Sequence, residues 1–324
     1  MKVWISKQVP KPCVTRLEEA GLQVMTSEKN SSWSKSQLIA QAKQTDSLLY
    51  IGKDPLDADF FQACRHLKGI ALGSVGYNHV DLEAATRMGI PVSNTPGVLS
   101  EATADIALLL MLAVSRKAFF RARQIDSGAW GDFEFTDHLG LELYGKTLGI
   151  FGLGRIGFAL ARKAKAAFNM SILYHNRHPN PAAEQQLSAR LVSFEELLKE
   201  SDVLSVHTNL SPETEGLFNT QTFKAMKSSA IFINTARGAI HNEADLTAAL
   251  KTGEIWGAGL DVTSPEPMIQ DNPLLAMPQV CVLPHIGSAT LETRINMALM
   301  AADNLIAVAQ GKPMPQIINP EVYD

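Results

Sequence analysis

The stretch Leu148-Gly-Ile-Phe-Gly-Leu-Gly-Arg-Ile-Gly157 decides the fold of this chain. It begins as an apolar run that is typical of a β-strand, and it leads into 158–167, a run of residues that favour a helix. In that context Gly152 permits a tight turn, Gly154 lets the backbone approach a pyrophosphate, and Gly157 lets the helix pack closely on the strand. A GxGxxG pattern alone is common by chance, but one placed between strand and helix predicts a dinucleotide at the helix N-terminus.

The composition is that of an ordinary globular chain with about two domains. Its 324 residues are 46% hydrophobic and 19% charged, which is ample for buried cores. The 29 basic and 33 acidic residues leave a formal net charge of -4 without a long run of either sign, so we expect no nucleic-acid partner. Because the N-terminus lacks an apolar signal region and no apolar run is long enough to span a bilayer, we expect a cytoplasmic protein that does not bind membranes.

Cysteine and histidine spacing points away from disulfides and metals. Cys13, Cys64 and Cys281 are odd in number and far apart, which favours buried free thiols. His175 and His178 are two residues short of a zinc set, since further ligands at useful spacing are absent from the sequence. We therefore expect no metal.

Short β-prone runs alternate with helix-like stretches on both sides of the glycine turn. Before it the runs are 3–5, 22–25, 48–51, 70–72 and 91–93; from the turn onward they are 148–151, 172–174, 203–206, 231–234, 257–262 and 280–283. This rhythm predicts an α/β fold with two doubly wound parallel sheets. We expect a substrate domain of residues 1–99 plus 288–324, completed by a C-terminal helix at 291–310, and a nucleotide-binding domain of residues 100–287.

The run from Ser100 to about Ile125 predicts one long helix. Ser100 is a plausible N-cap, Glu101 suits the first turn, and Gly128 is a plausible stop. Because the run is apolar on most faces, more than one of its sides must be covered, either within one subunit or by a second subunit.

Three polar residues each follow a predicted strand of the second sheet. Arg237 comes after 231–234, Glu266 after 257–262, and His285 after 280–283. Each alone has a plain explanation, as a surface ion pair, a solvated carboxylate or a turn histidine. Since the carboxyl ends of parallel strands meet at one edge, where open α/β sheets bind ligands, we expect them to form one acid-base site.

At these residues the chain resembles the D-isomer-specific 2-hydroxyacid dehydrogenases, in particular their glyoxylate and hydroxypyruvate reductase branch. The resemblance covers essentially the whole chain, and its motifs are Gly152-Leu-Gly-Arg-Ile-Gly157, Asn234-Thr-Ala-Arg-Gly238, Gly259-Leu-Asp-Val262, Pro265-Glu-Pro267 and Pro284-His-Ile-Gly287. It implies a flavodoxin-like substrate domain and a Rossmann nucleotide-binding domain with a cleft between them.

The resemblance also implies which residues form the site. Arg237, Glu266 and His285 correspond to the catalytic set, and backbone groups of Val75 and Gly76 would hold the substrate carboxylate, together with Arg237 and His285. The residues implied to line the cofactor, besides the three glycines of the turn, are Thr103, Arg155, Ile156, His207, Thr208, Pro212, Ala236, Asp261 and Gly287.

The chemistry of 2-keto acid reduction agrees with this set. Hydride adds to the carbonyl carbon and a proton to its oxygen, so an acid and a cation are needed beside an anionic substrate. His285 suits the proton donor, with Glu266 favouring its charged form and orienting the ring, and Arg237 suits the carboxylate and the keto oxygen. Two alternatives stay open: a non-catalytic nucleotide-sensing or interaction protein on the same fold, and a dehydrogenase of the family that acts on a different 2-hydroxy acid.

Cofactor preference follows from the residues after the second strand of the nucleotide domain. NAD enzymes of this family usually place an acidic residue there, to bond the ribose hydroxyls, whereas this chain has Tyr174-His-Asn-Arg-His178. Asn176 offers neutral donors and Arg177 a cationic fork that suits a 2′-phosphate. We therefore expect NADPH to be preferred over NADH, and from the family and the apolar helix we expect a homodimer.

Overall fold

The computed structural model describes residues 1–27 and 33–324 as two compact units. The first unit consists of Met1–Leu99 and Ser288–Asp324, and the second of Ser100–Gly287. Each unit is built on its own parallel sheet. Within the described part of the chain, every helix is too short or too polar to cross a membrane.

The described residues of the first unit form five parallel strands in the order β2-β1-β3-β4-β5. The strands are β1 Lys2–Ile5, β2 Gln23–Thr26, β3 Ser47–Tyr50, β4 Ile70–Leu72 and β5 Val92–Ser93. The helices are α1 Lys11–Glu19, α2 Lys35–Ala42, α3 Ala58–Ala63, α4 Leu82–Arg87 and, from the C-terminal segment, α12 Leu291–Ala309. All five strands expected before residue 95 are therefore present.

The two faces of the first sheet are covered by different segments of the chain. One face packs on α2, α3 and α4 through a cluster that includes Leu38, Phe60 and Ala84. The other face packs on α1 and α12, where Leu17 and Leu305 are completely buried. The C-terminal helix thus completes a core that was begun by the first 99 residues.

The second unit contains seven parallel strands in the order β12-β11-β10-β9-β6-β7-β8. They are β6 Thr147–Phe151, β7 Ser171–His175, β8 Arg190–Leu191, β9 Val203–Val206, β10 Ile231–Asn234, β11 Gly257–Leu260 and β12 Val280–Val282. The order reverses between β6 and β9, as in a doubly wound nucleotide-binding sheet. The predicted fold class is confirmed.

Two helices of the second unit precede its first strand, and the others lie between its strands. They are α5 Ser100–Ser115, α6 Ala118–Asp126, α7 Arg155–Phe168, α8 Pro181–Leu187, α9 Phe194–Glu200, α10 Thr220–Ala225 and α11 Glu243–Thr252. Short 3₁₀ turns occupy Gly238–Ile240 and Pro273–Ala276. Helices α5 and α7 cover one face of the sheet, and α9, α10 and α11 pack on the other.

The prediction of one helix from Ser100 to about Ile125 was wrong. The helix ends at Ser115, and Lys117 adopts a left-handed conformation with φ 53° before α6 begins. The Ser115 carbonyl accepts a 2.8 Å bond from the Leu141 N–H, which replaces the bond that a continuing helix would need. The new direction leaves every residue of α6 exposed or half-buried.

The expected six strands of the second sheet are joined by a seventh. Strand β8 is only two residues long and exposed, and it pairs with Leu173 and Tyr174 of β7. Arg190 at its start bonds Glu196 and Glu200 of α9. An edge strand this short and polar lacks the apolar run by which strands are predicted.

Candidate active site

The register of the second sheet brings the ends of its central strands to one line. Val206 pairs with Phe151 on one side and with Asn234 on the other, and Asn234 pairs with Leu260, which pairs with Val282. The loops after β6, β9, β10, β11 and β12 therefore leave from one edge. This edge carries the glycine turn and all three residues of the expected acid-base set.

His285 and Glu266 form a close pair at this edge. Their loops follow β12 and β11, and His285 Nδ1 lies 2.6 Å from Glu266 Oε1. The histidine side chain is 36% exposed and the glutamate 23% exposed, so the pair is accessible but shielded. Because the Glu266 carboxylate contacts Nδ1, the other ring nitrogen, Nε2, is the one left to exchange a proton with a ligand.

The backbone of His285 has an unusual conformation that Asp261 fixes. Its φ is 56°, in the left-handed region that residues with a side chain rarely adopt. Asp261, 1% exposed, accepts bonds from the N–H groups of Ile286 at 2.8 Å and Gly287 at 2.7 Å. Burial raises the pKa of Asp261, and the two N–H groups act against that rise. The carboxylate thus holds the turn that presents the imidazole.

Arg237 is presented by a turn that Asn234 organises. The buried Asn234 amide accepts a 2.9 Å bond from Ala236 N–H and donates to the Arg237 carbonyl at 2.9 Å. Gly238 follows because any Cβ there would collide with the Thr263 carbonyl. Burial lowers the pKa of the Arg237 guanidinium, whereas the Glu266 carboxylate favours its charged form. Arg237 and Glu266 therefore interact electrostatically.

The glycine turn has the features that a dinucleotide pyrophosphate requires. Gly152 has φ 94°, and a Cβ there would lie within 3.0 Å of backbone atoms of His207 and Thr208. The N-cap of the 14-residue helix α7 is Gly154, and space is open where its Cβ would be. A helix N-terminus that begins at a glycine offers its N–H groups and its dipole to an anion. These residues fit the group that the sequence predicted.

Several residues that the resemblance assigned to the cofactor lie against one another. Thr103 of α5 and the Asp261 carboxylate both lie within 3.4 Å of the Cβ position of Gly287. His207 bonds Ser205 Oγ at 2.8 Å through Nε2 and Thr235 Oγ1 at 3.4 Å through Nδ1. Burial lowers the pKa of His207 to about 4, so its ring is neutral at physiological pH. Arg155 and Pro212 are exposed on the same edge, and Ile156, Thr208 and Ala236 are half-buried there.

The residues after β7 divide between structure and solvent. The Asn176 side chain bonds both backbone groups of Leu153, accepting from N–H at 2.6 Å and donating to C=O at 3.3 Å. His175 stacks on Phe151 and bonds the Val192 carbonyl through Nδ1 at 3.0 Å. Arg177 is exposed. Asn176 thus braces the glycine turn, and Arg177 is the side chain with freedom to meet a ligand.

In the first unit, the loop after β4 carries Val75 and Gly76. The Asn94 amide donates to the Val75 carbonyl at 2.8 Å, and Ser74 Oγ donates to the Gly76 carbonyl at 2.9 Å. Thr95 N–H also bonds the Ser74 carbonyl at 3.0 Å. These bonds fix the loop by its carbonyl groups.

Sequence reasoning missed the residues that hold the set in place. The sequence motif 234–238 contains Asn234 without indicating its role, and Glu243 and His241 lie outside the motifs. His241, 2% exposed, bonds the Asn234 amide through Nδ1 at 3.0 Å, and burial lowers its pKa to about 4. The available signal was the cluster of polar residues just after the apolar run of β10.

Comparison with known proteins agrees with this arrangement. Residues 108–287 match the family described as D-isomer specific 2-hydroxyacid dehydrogenase, NAD binding domain. A glyoxylate reductase of Thermococcus litoralis is 42% identical over 99% of this chain and 97% of its own length.

This chain belongs to the D-isomer-specific 2-hydroxyacid dehydrogenase family.

Solved structures extend the match. The TT0316 protein of Thermus thermophilus is similar with a TM-score of 0.91 and 44% identity, covering 98% of this chain and 100% of that one. An NADPH-dependent glyoxylate/hydroxypyruvate reductase of Sinorhizobium meliloti, in complex with NADP and malonate, has a TM-score of 0.85 and 31% identity, covering 99% and 97%. The predicted family is confirmed, and this protein is an oxidoreductase that uses NAD(P).

Proposed function

We propose that this protein reduces a small 2-keto acid, of the glyoxylate or hydroxypyruvate type, to the 2-hydroxy acid, with D configuration where the product is chiral. The observation that carries the proposal is the 2.6 Å bond between His285 Nδ1 and Glu266 Oε1, on the sheet edge that also holds Arg237. The reaction needs a proton donor and a cation beside an anionic substrate, and these side chains provide both. The names of the relatives from T. litoralis and S. meliloti support the substrate class.

His285 is the proposed proton donor. Glu266 holds Nδ1 and orients the ring, so the proton on Nε2 is the one that can pass to the keto oxygen as it becomes an alkoxide. The ring leaves this step neutral and regains a proton from solvent before the next turnover. Asp261 contributes by fixing the backbone from which the ring extends.

Arg237 is the proposed anion-binding residue. A guanidinium has five donors in a fixed plane, so one fork binds the substrate carboxylate while a further N–H polarises the keto oxygen. Partial burial strengthens both interactions because less water competes for them. The backbone of Val75 and Gly76 is proposed to bind the same carboxylate.

The glycine turn and the residues lining the same edge are proposed to hold the cofactor. Bound there, NAD(P)H supplies the hydride. The N–H groups of Arg155 and Ile156 at the start of α7 are proposed to bind the pyrophosphate, and Gly152 lets the turn lie close to the backbone after β9. His207 is held in place by Ser205 and Thr235, and burial keeps its ring neutral. It is therefore proposed to line the cofactor site as a fixed polar group without a charge.

NADPH is proposed as the preferred cofactor because Arg177 is exposed after β7, where an acidic residue would favour NADH. Its guanidinium suits the 2′-phosphate, and the NADPH dependence of the S. meliloti relative supports the proposal. Asn176 contributes indirectly, since its amide is bound to Leu153 and so holds the turn from which Arg177 projects.

A homodimer is proposed from the apolar surface of the second unit. Leu109 and Leu112 on α5 are 44% and 39% exposed. The segment that follows α6 exposes five large apolar side chains, namely Trp130, Phe133, Phe135, Leu139 and Tyr144. A surface with this many exposed aromatic residues is typical of an interface, and two-fold dimers are the commonest soluble assemblies.

Light scattering at micromolar concentration tests the dimer. The wild type should give about twice the chain mass, and the double variant Phe133→Ser with Phe135→Ser should shift toward the monomer. A monomeric wild type would contradict the proposal.

We also propose a cytoplasmic location, which is consistent with the free thiols of Cys13, Cys64 and Cys281.

The function is tested by following cofactor oxidation with glyoxylate, hydroxypyruvate and pyruvate, each with NADPH and with NADH. We expect turnover with glyoxylate and hydroxypyruvate, and a higher kcat/KM with NADPH than with NADH. A protein that binds NADPH but turns over none of a wide panel of 2-keto acids would instead support the non-catalytic, nucleotide-sensing alternative.

A further inference from the structure

The loop that carries Glu266 is tied to a helix by a carboxylate outside the acid-base set. Glu243 is the first residue of α11 and is half-buried. Its Oε2 accepts a 3.2 Å bond from Ser264 N–H, two residues before Glu266. Its Oε1 accepts a 2.5 Å bond from the amide of Asn272, on the other side of Glu266 in sequence. One carboxylate therefore joins both ends of the loop to α11.

The Asn272 amide can adopt only one orientation in this arrangement. Asn272 is 6% exposed, and its Oδ1 accepts the Leu274 N–H at 3.0 Å, which caps the 3₁₀ turn Pro273–Ala276. Its NH₂ group therefore faces Glu243. Because a buried donor that loses its acceptor is destabilising, this bond depends on an acceptor at position 243.

The near end of the loop is fixed in the same manner. Thr263 Oγ1 donates to the Pro265 carbonyl at 2.8 Å, and the Thr263 carbonyl lies against Gly238, one residue after Arg237. The segment 263–266 is thus held between the Arg237 turn and Glu243. A shift at position 264 would move Glu266 relative to His285, whose ring it bonds at 2.6 Å.

We propose that Glu243 is a positioning residue, which sets the place of Glu266 against His285 by binding Ser264 N–H and the Asn272 amide. It acts through Glu266 and touches neither substrate nor cofactor. The inference rests on the proposed function, because it assumes that the Glu266–His285 pair delivers the proton.

Glu243→Gln is the first test. The glutamine oxygen still accepts from Ser264 N–H, but its NH₂ group then faces the Asn272 NH₂ group, so two donors oppose each other. We expect kcat for keto acid reduction to fall about tenfold with little change in the KM for NADPH, since a misplacement of about 1 Å costs up to roughly 100-fold. The pH profile of kcat should also change in the same way as in Glu266→Gln, because both substitutions alter the contact between Glu266 and His285.

Asp245→Asn is the matched control. Asp245 lies in the same first turn of α11 and also accepts a backbone N–H, that of Thr220, at 3.0 Å, but it contacts α10 instead of the loop. The Asp245→Asn variant therefore loses one negative charge at the N-terminus of α11, as Glu243→Gln does. Its kcat and pH profile should equal those of the wild type, and an effect as large as that of Glu243→Gln would show that helix stability alone is responsible.

A polarity swap gives the sharpest test. Asn272→Asp keeps the acceptor for Leu274 N–H but places a carboxylate against Glu243, so it should impair kcat as Glu243→Gln does. Combining the two restores a donor–acceptor pair, because the glutamine NH₂ faces the aspartate, and kcat should recover to within about threefold of the wild type. Additive losses in the combined variant would overturn the proposal, whether or not either single variant is well folded.

A second cycle separates this inference from the proposed function. In the Glu266→Gln background, adding Glu243→Gln should cause almost no further loss of kcat, because the residue through which it acts is already altered. A full tenfold further loss would refute the positioning role while leaving the reductase intact. Absence of keto acid reduction in the wild type would instead refute the proposed function.

Discussion

The two halves of the seven-stranded sheet differ in how their functional side chains are supported. In the half that contains β10, β11 and β12, each side chain of the acid-base set extends from a loop that is fixed by hydrogen bonds to another side chain. Asn234 holds the Arg237 turn, Asp261 the His285 turn and Glu243 the Glu266 loop. In the half that contains β6, β7 and β8, the side chain proposed to bind the 2′-phosphate, Arg177, is exposed. We call these the catalytic half and the cofactor half.

The difference follows from what each half must do. Proton transfer requires donor and acceptor to approach within a few tenths of an ångström of their working distance, so positions must be fixed before the substrate arrives. A phosphate carries two charges and several acceptor oxygens, so a long flexible cation can bind it from more than one rotamer. The catalytic half should therefore be sensitive to small changes, and the cofactor half tolerant of them.

The largest effect should come from His285→Ala, which removes the proposed proton donor of the catalytic half. We expect kcat for 2-keto acid reduction to fall by about 100-fold or more, the usual contribution of general acid catalysis, with NADPH still bound. Steady-state kinetics and cofactor binding measured on the same preparation check this. His66→Ala, whose ring bonds backbone carbonyls in the first unit, serves as the control. Retention of more than about a tenth of wild-type kcat would rule out the assignment.

Asp261→Asn tests whether held backbones matter. An amide at this position accepts only one of the two N–H groups of Ile286 and Gly287, so the left-handed turn at His285 should loosen. We expect kcat to fall by about 10- to 100-fold. Asp202→Asn is matched, because Asp202 accepts Thr147 N–H at the opposite edge of the sheet. Equal kcat losses in both variants would mean that general destabilisation, not positioning, explains the result.

His241→Val should change how the stability of the protein depends on pH. Burial lowers the pKa of His241 to about 4. Between pH 6.5 and 4, His241 is therefore protonated in the unfolded chain but stays neutral in the folded chain. The contribution of neutral His241 to the free energy of unfolding is therefore complete above pH 6.5 and is lost as the pH falls toward 4. Between pH 7.5 and 5 the loss from this group is about 2 kcal/mol, and the variant should lack it. Urea unfolding of both proteins at the two pH values measures the difference, and identical pH dependence would contradict it.

The smallest effect should come from Arg177→Ala in the cofactor half. A charge-assisted phosphate contact is worth about 1.5 kcal/mol at an exposed site, so kcat/KM with NADPH should fall about tenfold while that with NADH stays nearly constant. Arg190→Ala, an exposed arginine of β8 that binds Glu196 and Glu200, is the control. Equal weakening of both cofactors would mean that Arg177 does not contact the 2′-phosphate.

Sequence patterns could predict the strands and the chemical residues because both follow from local order. Most strands of the two cores are apolar runs, and Arg237, Glu266 and His285 lie in the loops that follow three of them. Parallel pairing then brings them to one edge without further information. The family motifs add the same residues by resemblance.

The supporting contacts could not be predicted, since they depend on partners far apart in the chain. The Ser115 carbonyl meets Leu141 N–H only in the folded unit, and Arg116 and Lys117 are good helix formers that give no sign of a helix end. Glu243 reaches Asn272 across 29 positions. Likewise, the left-handed turn at His285 depends on Asp261, 25 positions from Ile286. Spacing in sequence says nothing about these pairs.

The two-part construction of the first unit has a consequence for synthesis on the ribosome. Helix α12 covers one face of the five-stranded sheet, yet it follows all of residues 100–287 in the chain. At about 5–20 residues per second, the nascent first sheet waits roughly ten seconds or more while the second unit emerges and folds, and during this time only α1 covers the face on which α12 will pack. The N-terminal 99 residues should therefore be the part of the nascent protein that chaperones bind, although they are the first to be made.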